Sequence, residues 1–228
     1  MDALSNAHTR RGGTQPPYTG FTSDVIPEAR CSQTGVSVRY IQETEKQWFV
    51  LRVSYGRIKK VQKVLDGQSV IYYIPKHYII KLVRNRKKRL LVPLLPNFIF
   101  VYEREEKLKD WMDCHSSNNY LSYYYNHFIT DAFGKNPPLT IPFPEMMNFI
   151  QATSVNDPHL MVVELDQCHY RSGDRIRIID GKFRGVEGKV ARVAGQQRVV
   201  VELTGLCLVA TAYIPTAFIE NINNLNHE

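Results

Sequence analysis

Residues 173–190 decide the fold of the C-terminal part of this chain, and they read GDRIRIIDGKFRGVEGKV. Ile176 and Ile178 alternate with two arginines, and this period of two is typical of a half-buried strand. The Asp-Gly pair at 180–181 then favours a turn, because glycine adopts positive φ at low cost. The valines that follow indicate a return strand, so the stretch predicts a β-hairpin.

The spacing apolar-x-apolar-x-x-Gly-x-Phe-x-Gly-x-x-Gly in this stretch resembles the KOW motif, which is found in small β-barrels of transcription elongation factors and some ribosomal proteins. The flanking strands, the internal Phe183 and the position near the C-terminus agree with that motif. The resemblance implies a small SH3-like β-barrel. An unrelated hairpin stays open as the alternative.

The composition is that of an ordinary protein with a hydrophobic core. The 228 residues could form one large domain or two small ones, and 43% are hydrophobic while 22% are charged. Lysine and arginine exceed aspartate and glutamate by 29 − 22 = 7. A basic chain is attracted to nucleic acids, anionic membranes or acidic proteins, and the charge alone does not choose among them.

The cysteines and the apolar segments predict a cytoplasmic protein with no membrane span. Cys31, Cys114, Cys168 and Cys207 are far apart and form no Cys-x-x-Cys motif, which predicts reduced thiols and no metal site. No run approaches the length of a transmembrane helix, and the first residues carry no apolar signal region. No cofactor is expected.

The N-terminal residues 1–45 are predicted to form a flexible tail, since few apolar positions recur there. The composition changes at Gln47, and residues 48–53 predict a buried strand. Ile58, Val61 and Leu65 then repeat at helical spacing with lysines between them, which indicates an amphipathic helix that ends at Gly67.

A highly charged segment, RNRKKR at residues 84–89, is predicted to be the tip of a hairpin whose arms are apolar. A solvated turn and a finger that contacts phosphates both fit this pattern, because clustered cations displace counterions from nucleic acids. The candidate nucleic-acid contacts are Arg84, Arg86, Lys87, Lys88 and Arg89.

The motif PLLPNFIFV at residues 93–101 predicts a central strand, since Phe98 and Phe100 alternate with apolar residues on the other face. Either face could be the core. Helices are predicted around residues 108–115 and from Pro142 onward, and a strand around 120–125. Residues 156–170 are expected to link this part to the C-terminal hairpin, with a short strand at 160–165.

Taken in order, these elements resemble the NusG family of transcription elongation factors over about residues 46–222. The motif at 93–101 is closest to the specialised RfaH-like paralogues of that family. The resemblance implies an α+β protein: an NGN-like α/β sandwich at 46–155 with a mostly antiparallel sheet and flanking helices, a linker at 156–170, and a KOW barrel at 171–224.

The family resemblance also implies a function in transcription, through binding to the clamp helices of RNA polymerase, with pausing or termination suppressed. It assigns an apolar polymerase-binding depression and a cationic rim. The apolar residues would be Leu95, Pro96, Phe98 and Phe100, and the rim residues would be Arg52, Arg57 and Lys60.

Two further contacts follow from the same resemblance. Lys109 would face upstream or non-template DNA from the second helix. The KOW domain would dock a ribosomal protein or a termination factor through Phe183, Arg184, Thr204 and Gly205, with Phe183 either a contact or a core residue. A monomer that does not bind membranes is expected.

The sequence also bears on two other classes of function. A KOW-type RNA-binding protein of translation or ribosome assembly would use the tyrosines at 123–125 and the tip at 84–89. An enzyme is not expected, because no P-loop, nucleophile elbow or metalloprotease motif occurs, and Asp131, Asp157 and His159 are isolated polar residues.

Overall fold

The computed structural model describes residues 29–30, 37–38, 40–68, 70–115, 120–155 and 157–222. Most of the tail predicted for residues 1–45, together with Cys31, lies outside these ranges. The part of that segment that is described includes Tyr40, which is fully buried and contacts Trp48 at 5.2 Å between ring centroids. Packed structure therefore begins before Gln47.

The described residues of the N-terminal half combine antiparallel strands with three α-helices. Its strands are β1 (Ala29–Arg30), β2 (Ser37–Val38), β3 (Gln47–Val53), β4 (Ile71–Tyr73), β5 (Lys76–Val83), β6 (Arg86–Pro93), β7 (Phe98–Glu103), β8 (Leu121–Tyr123) and β9 (Thr140–Ile141). Its helices are α1 (Ile58–Asp66), α2 (Glu105–His115) and α3 (Phe143–Ser154). The central sheet has the order β4-β7-β3-β8, with β9 also paired to β3. The predicted α+β class is confirmed for this half.

Helices α1 and α2 cover one face of the central sheet. Ile99 and Val101 of β7 are fully buried there. The amphipathic helix predicted from the repeat of Ile58, Val61 and Leu65 is confirmed, and these side chains are its buried side. It ends at Gly67, as expected of a residue with low helix propensity.

Helix α3 covers the opposite face. Phe100 is fully buried beneath it, and its ring lies 5.5 Å from that of Phe149. Met146 and Ile150 belong to the same core. Pro142 and Pro144 flank the first residue of the helix, where a missing backbone N–H is harmless. Both faces of β7 are therefore core.

The charged hairpin differs from its prediction. Its turn is only Arg84 and Asn85, whose φ angles are 50° and 63°, and two residues in this conformation match the twist of the flanking strands. Arg86, Lys87, Lys88 and Arg89 lie in β6 instead of the tip, paired to β5. The prediction of a six-residue tip is wrong, because a turn of two residues is enough to connect β5 to β6.

The C-terminal half is an antiparallel sheet of short strands. They are β10 (Met161–Val163), β11 (His169–Ile178), β12 (Glu187–Val193), β13 (Gln196–Leu203), β14 (Cys207–Tyr213) and β15 (Ile219–Asn221), in the order β10-β14-β13-β12-β11-β15. The hairpin predicted at 173–190 is confirmed as β11 and β12, with Ile176 and Ile178 buried. The short strand expected at 160–165 is β10, which pairs with β14.

One hydrophobic cluster joins the two halves. It contains Phe149 and Ile150 of α3 together with Ile178, Val199 and Val201 of the C-terminal sheet. Helix α3 is thus packed between the two sheets. None of the helices in the described ranges is both long and apolar enough to cross a membrane.

An ion pair ties the connection after α3 to the C-terminal sheet. The Lys182 ammonium donates to the Asp157 carboxylate at 2.5 Å, and the His159 backbone N–H donates to the same side chain at 2.8 Å. Burial of Asp157 opposes its ionisation, but these hydrogen bonds and the charge of Lys182 outweigh that effect and lower the pKa of the carboxyl group.

Phe100→Ala is expected to lower the free energy of unfolding by about 3–5 kcal/mol, because the lost ring leaves a cavity under α3. Chemical denaturation monitored by circular dichroism measures it. The matched control is Phe133→Ala, since Phe133 is 88% exposed, and a change within about 0.5 kcal/mol is expected there. Equal losses in the two variants would contradict the packing of β7 against α3.

Asp157→Asn is expected to destabilise the protein by about 1.5–3 kcal/mol near neutral pH, because it removes a charge-assisted hydrogen bond. The lowered pKa means that this stabilisation is present above the unfolded pKa, at about 4, and is lost as the pH falls through the folded value. Denaturation of wild type and variant at pH 7, 5 and 3 should show the difference shrinking in acid. A difference that does not change with pH would refute the ionised contact.

Candidate functional site

One end of the central sheet carries a turn that is fixed by backbone hydrogen bonds. The Val53 N–H donates to the Asn97 carbonyl and the Ser54 N–H donates to the Tyr120 carbonyl, both at 2.8 Å. Gly56 follows with a φ of 73°, a conformation that glycine adopts without strain. The ends of β3, β7 and β8 therefore meet at this turn.

This end of the sheet presents one aromatic side chain to solvent within a cationic surrounding. Tyr55 is 89% exposed, and Pro96 is exposed in the loop that leads into β7. Arg52 and Arg57 are exposed on either side of Tyr55 along the chain. The residues Arg52, Tyr55, Arg57, Lys60, Pro96 and Phe98 are called the sheet-end patch below.

One strand pairing and two ring contacts show where Arg52, Phe98 and Lys60 lie relative to the sheet. Arg52 lies opposite Phe98 in the β3–β7 register, so both project from the same face of the sheet. Phe98 is half-buried and meets Tyr124 edge-on, with ring centroids 5.2 Å apart. The Lys60 ammonium lies 4.8 Å from the centre of the Tyr120 ring. Phe98 and Tyr124 thus pack on the α3 side of the sheet, whereas Lys60 and Tyr120 lie on the side that α1 covers.

The residues predicted for polymerase binding divide into surface and core. Pro96, Arg52, Arg57 and Lys60 are exposed, and Phe98 is half-buried. Leu95 and Phe100 are buried in the core beneath the patch, with Leu95 7% and Phe100 0% exposed. Both belong to the core that includes α3, so their side chains are not part of the exposed surface.

Sequence reasoning missed Tyr55 as a member of the sheet-end patch and Tyr124 as the ring that packs against its Phe98. Tyr55 follows an apolar strand and precedes a glycine, and an aromatic residue directly before a positive-φ glycine in a tight turn has no core to enter. That pattern was the available signal. Tyr124 was recognised only as part of a tyrosine run, and its contact with Phe98 depends on the pairing of β8 with β3.

The predicted nucleic-acid residues lie on two separate elements. Arg84, Arg86, Lys87, Lys88 and Arg89 are exposed on the two-stranded ribbon of β5 and β6. Lys109 is exposed on α2, which packs on the central sheet. The ribbon forms a sheet of its own in the described residues, so its cations and Lys109 belong to different structural units.

The residues predicted for docking through the C-terminal sheet lie against the N-terminal half. Phe183 is a core residue, since its side chain is only 2% exposed. The turn that carries it remains at the surface. The Arg184 carbonyl accepts a hydrogen bond from the Gln151 side chain at 2.6 Å. A Cβ added at Gly205 would lie 3.1 Å from a methyl carbon of Leu139.

Polar side chains of α3 complete this contact between the halves. Asn148 accepts from the Glu187 N–H at 2.8 Å and donates to the Glu187 carbonyl at 2.7 Å. The Glu145 carboxylate accepts from the backbone N–H of Thr204 at 2.5 Å and from its hydroxyl at 3.3 Å. Burial raises the pKa of Glu145, against the opposing effect of these two hydrogen bonds. This set of contacts is called the α3 seam.

A rigid aromatic loop was also missed. The Asp131 carboxylate accepts from the N–H groups of Phe133 and Lys135 at 2.9 and 2.8 Å, which holds the loop closed. Phe128 and Phe133 are 84% and 88% exposed on it. Nothing in the sequence shows that these rings remain outside the core.

In the described ranges, no group of three His, Cys, Asp or Glu side chains could hold a metal ion. Asp131 and Asp157 are engaged in the loop and ion-pair contacts given above. The candidate contact regions described above are the sheet-end patch, the ribbon and the α3 seam.

A comparison with protein families identifies the N-terminal half. Residues 46–150 match the NusG family model, described as "Transcription termination factor nusG". This description is that of a transcription factor, which agrees with the expected role in transcription and gives no support to the alternative of a translation protein. The chain therefore contains a NusG-family domain, and this supports a role as a NusG-family transcription elongation or termination factor.

Proposed function

We propose that this chain is an RfaH-like antitermination factor that binds the clamp helices of RNA polymerase through the sheet-end patch and suppresses pausing or termination. The family match over residues 46–150 supports the general class. The proposal that this patch binds the clamp helices rests on the exposed Tyr55 and Pro96, with Arg52 and Arg57 near Tyr55 in the chain. An aromatic centre with a cationic rim is typical of protein interfaces.

The parts of the patch have different roles in binding. Tyr55 and Pro96 supply the apolar area that is removed from water, and Phe98 backs them from the sheet. The arginines and Lys60 attract an acidic partner surface, which favours correct orientation and faster association. Leu95 and Phe100 act through the shape of the patch, because they are buried below it.

The factor acts by binding one polymerase conformation better than another. A ligand shifts such an equilibrium only by its difference in affinity for the two states. A difference of about 1.4 kcal/mol in favour of the elongating state changes the ratio of states tenfold. An interface of modest size therefore suffices, and no chemical step is required of the factor.

Nucleic acid is the second partner in this proposal. The cations of the β5–β6 ribbon and Lys109 of α2 are exposed and would contact the upstream or non-template DNA beside the polymerase. Such contacts with phosphates add affinity without sequence information. They also make binding depend on salt concentration, since each contact releases counterions.

The C-terminal sheet is proposed to be a KOW barrel that docks a ribosomal protein or a termination factor. Arg184, Thr204 and Gly205 lie at the α3 seam, so a partner that uses them competes with Glu145 and Gln151. Docking is therefore coupled to release of the sheet from α3. The whole factor is proposed to act as a cytoplasmic monomer.

Tyr55→Ala is expected to weaken retention of core RNA polymerase by about 30-fold or more, because truncation of an interface hot spot costs about 2 kcal/mol or more. Arg52→Glu should also weaken retention of the polymerase, and this loss should be larger at low salt than at high salt because salt screens charges. The measurement is a pull-down titration with immobilised full-length chain and no nucleic acid. Tyr213→Ala is the matched control, since Tyr213 is an exposed tyrosine of β14, and wild-type retention is expected. Equal retention by the Tyr55 and Tyr213 variants would refute the sheet-end patch.

Addition of the wild-type chain is expected to shorten pause lifetimes by up to about tenfold, the ratio that corresponds to about 1.4 kcal/mol. The measurement is single-round transcription on a template with one pause site and one terminator. The Tyr55→Ala variant should behave like a reaction without factor. Longer pauses or more termination with the wild-type chain would reverse the proposed direction of action.

A further inference from the structure

The ribbon of β5 and β6 is an arm whose outer half is surrounded by solvent. From Ile80 to Arg89 every side chain is exposed except that of Val83, which is intermediate. Strands of eight residues extend about 26 Å at the usual rise per residue. The two strands pair only with each other in the described residues. The arm is therefore shaped to enter a groove.

The charge of the arm points to a polyanion. Seven lysines and arginines lie between Lys76 and Pro93, and no aspartate or glutamate occurs from residue 67 to residue 102. In the described part of the chain, no carboxylate is within ion-pair distance of Arg86, Lys87 or Lys88. Cations that are not neutralised by the protein itself are available to phosphates.

Phosphate contacts do not explain the apolar side chains on the same arm. Ile80 and Leu82 are 75% and 62% exposed, and they project from one face together with Tyr78. The residues opposite them in the register are Arg89 and Lys87. This face, called the mixed face below, thus carries three exposed aliphatic side chains, those of Ile80, Leu82 and, opposite Tyr78, Leu91, next to two cations.

The mixed face has the chemistry and the spacing of base edges in the major groove. Side chains two residues apart on a strand are separated by about 6.6 Å, close to two base steps of about 3.4 Å each. The major groove presents thymine methyl groups and guanine acceptors, which suit aliphatic and cationic side chains respectively. That groove is about 12 Å wide and admits a two-stranded ribbon, whereas the minor groove is about 6 Å wide and displays no thymine methyl groups.

Single-stranded nucleic acid is a poorer match. Proteins that bind single strands stack bases on exposed aromatic rings. The only aromatic ring within Lys76–Pro93 other than His77 is Tyr78, and the Arg89 guanidinium covers it at 3.7 Å from the ring centroid. The outer half of the arm contains no aromatic residue.

We infer that the β5–β6 arm inserts into the major groove of duplex DNA, with Ile80 and Leu82 against thymine methyl groups and Lys87 toward base acceptors. Lys81, Arg86 and Lys88, on the opposite face, contact the flanking phosphates. This inference extends the nucleic-acid contact of the proposed function from the phosphate backbone to the bases. It gives the factor a preference among DNA sequences.

The test compares two duplexes that differ only in the major-groove methyl groups. One is a 20-base-pair duplex of alternating A and T, and the other has deoxyuridine in place of every thymidine. Binding of the full-length chain is followed by fluorescence anisotropy at two salt concentrations. Wild type should bind the thymine duplex more tightly, by about fourfold for each methyl group that it buries.

Two sets of variants separate the roles of the side chains. Ile80→Ser with Leu82→Ser should bind both duplexes equally and keep the wild-type dependence on salt. Lys81→Gln with Lys88→Gln should weaken both duplexes by the same factor and lower the slope of log K against log salt by about 1.8. All these side chains are exposed, and thermal melting verifies that the variants are folded.

Several results would overturn the inference. These are equal affinity of the wild-type chain for the two duplexes, tighter binding to single-stranded DNA of the same sequence, or tighter binding to phosphatidylglycerol vesicles than to the duplex. The experiment contains no polymerase, and the pull-down above contains no DNA. Loss of the methyl preference with intact polymerase retention therefore refutes the arm alone, and the reverse result refutes the polymerase proposal alone.

Discussion

The structure depends on the burial of α3 between two sheets. On one side its Phe149 packs against Phe100 of the central sheet, and on the other its apolar residues enter the core of the C-terminal sheet. Apolar contacts supply most of the stabilisation in such an arrangement. Polar groups fix its geometry, since Asn148 pairs with both backbone groups of Glu187. Movement of the C-terminal sheet would expose this helix.

The strands and helices were largely predictable because their apolar residues recur with a clear period. The alternation at Ile176 and Ile178 indicated β11, and the repeat from Ile58 to Leu65 indicated α1. The sequence did not decide that both faces of β7 are core, since an apolar face can also serve as a binding surface. The side chains of the α3 seam were missed because polar residues on a helix are usually solvated, and only tertiary packing brings Asn148 to β12.

The exposure of the candidate residues was predictable in part. The cationic residues of the sheet-end patch were assigned through the family resemblance, and their exposure agrees with the rule that charged side chains rarely enter the core. Tyr55 was missed, since its exposure depends on a turn held by hydrogen bonds between segments far apart in the sequence. The resulting surfaces are separate: the patch lies at one end of the central sheet, the arm projects as its own sheet, and the α3 seam engages the C-terminal half.

The most direct test of the proposed polymerase contact is photo-crosslinking in a reconstituted elongation complex. A photoreactive phenylalanine analogue replaces Tyr55 in one sample and Tyr213 in another, both of which are exposed in the structure. Crosslinks from position 55 to the clamp helices of the polymerase, with none from position 213, are the expected result. Crosslinks to the polymerase from position 213 but not from position 55 would contradict the account.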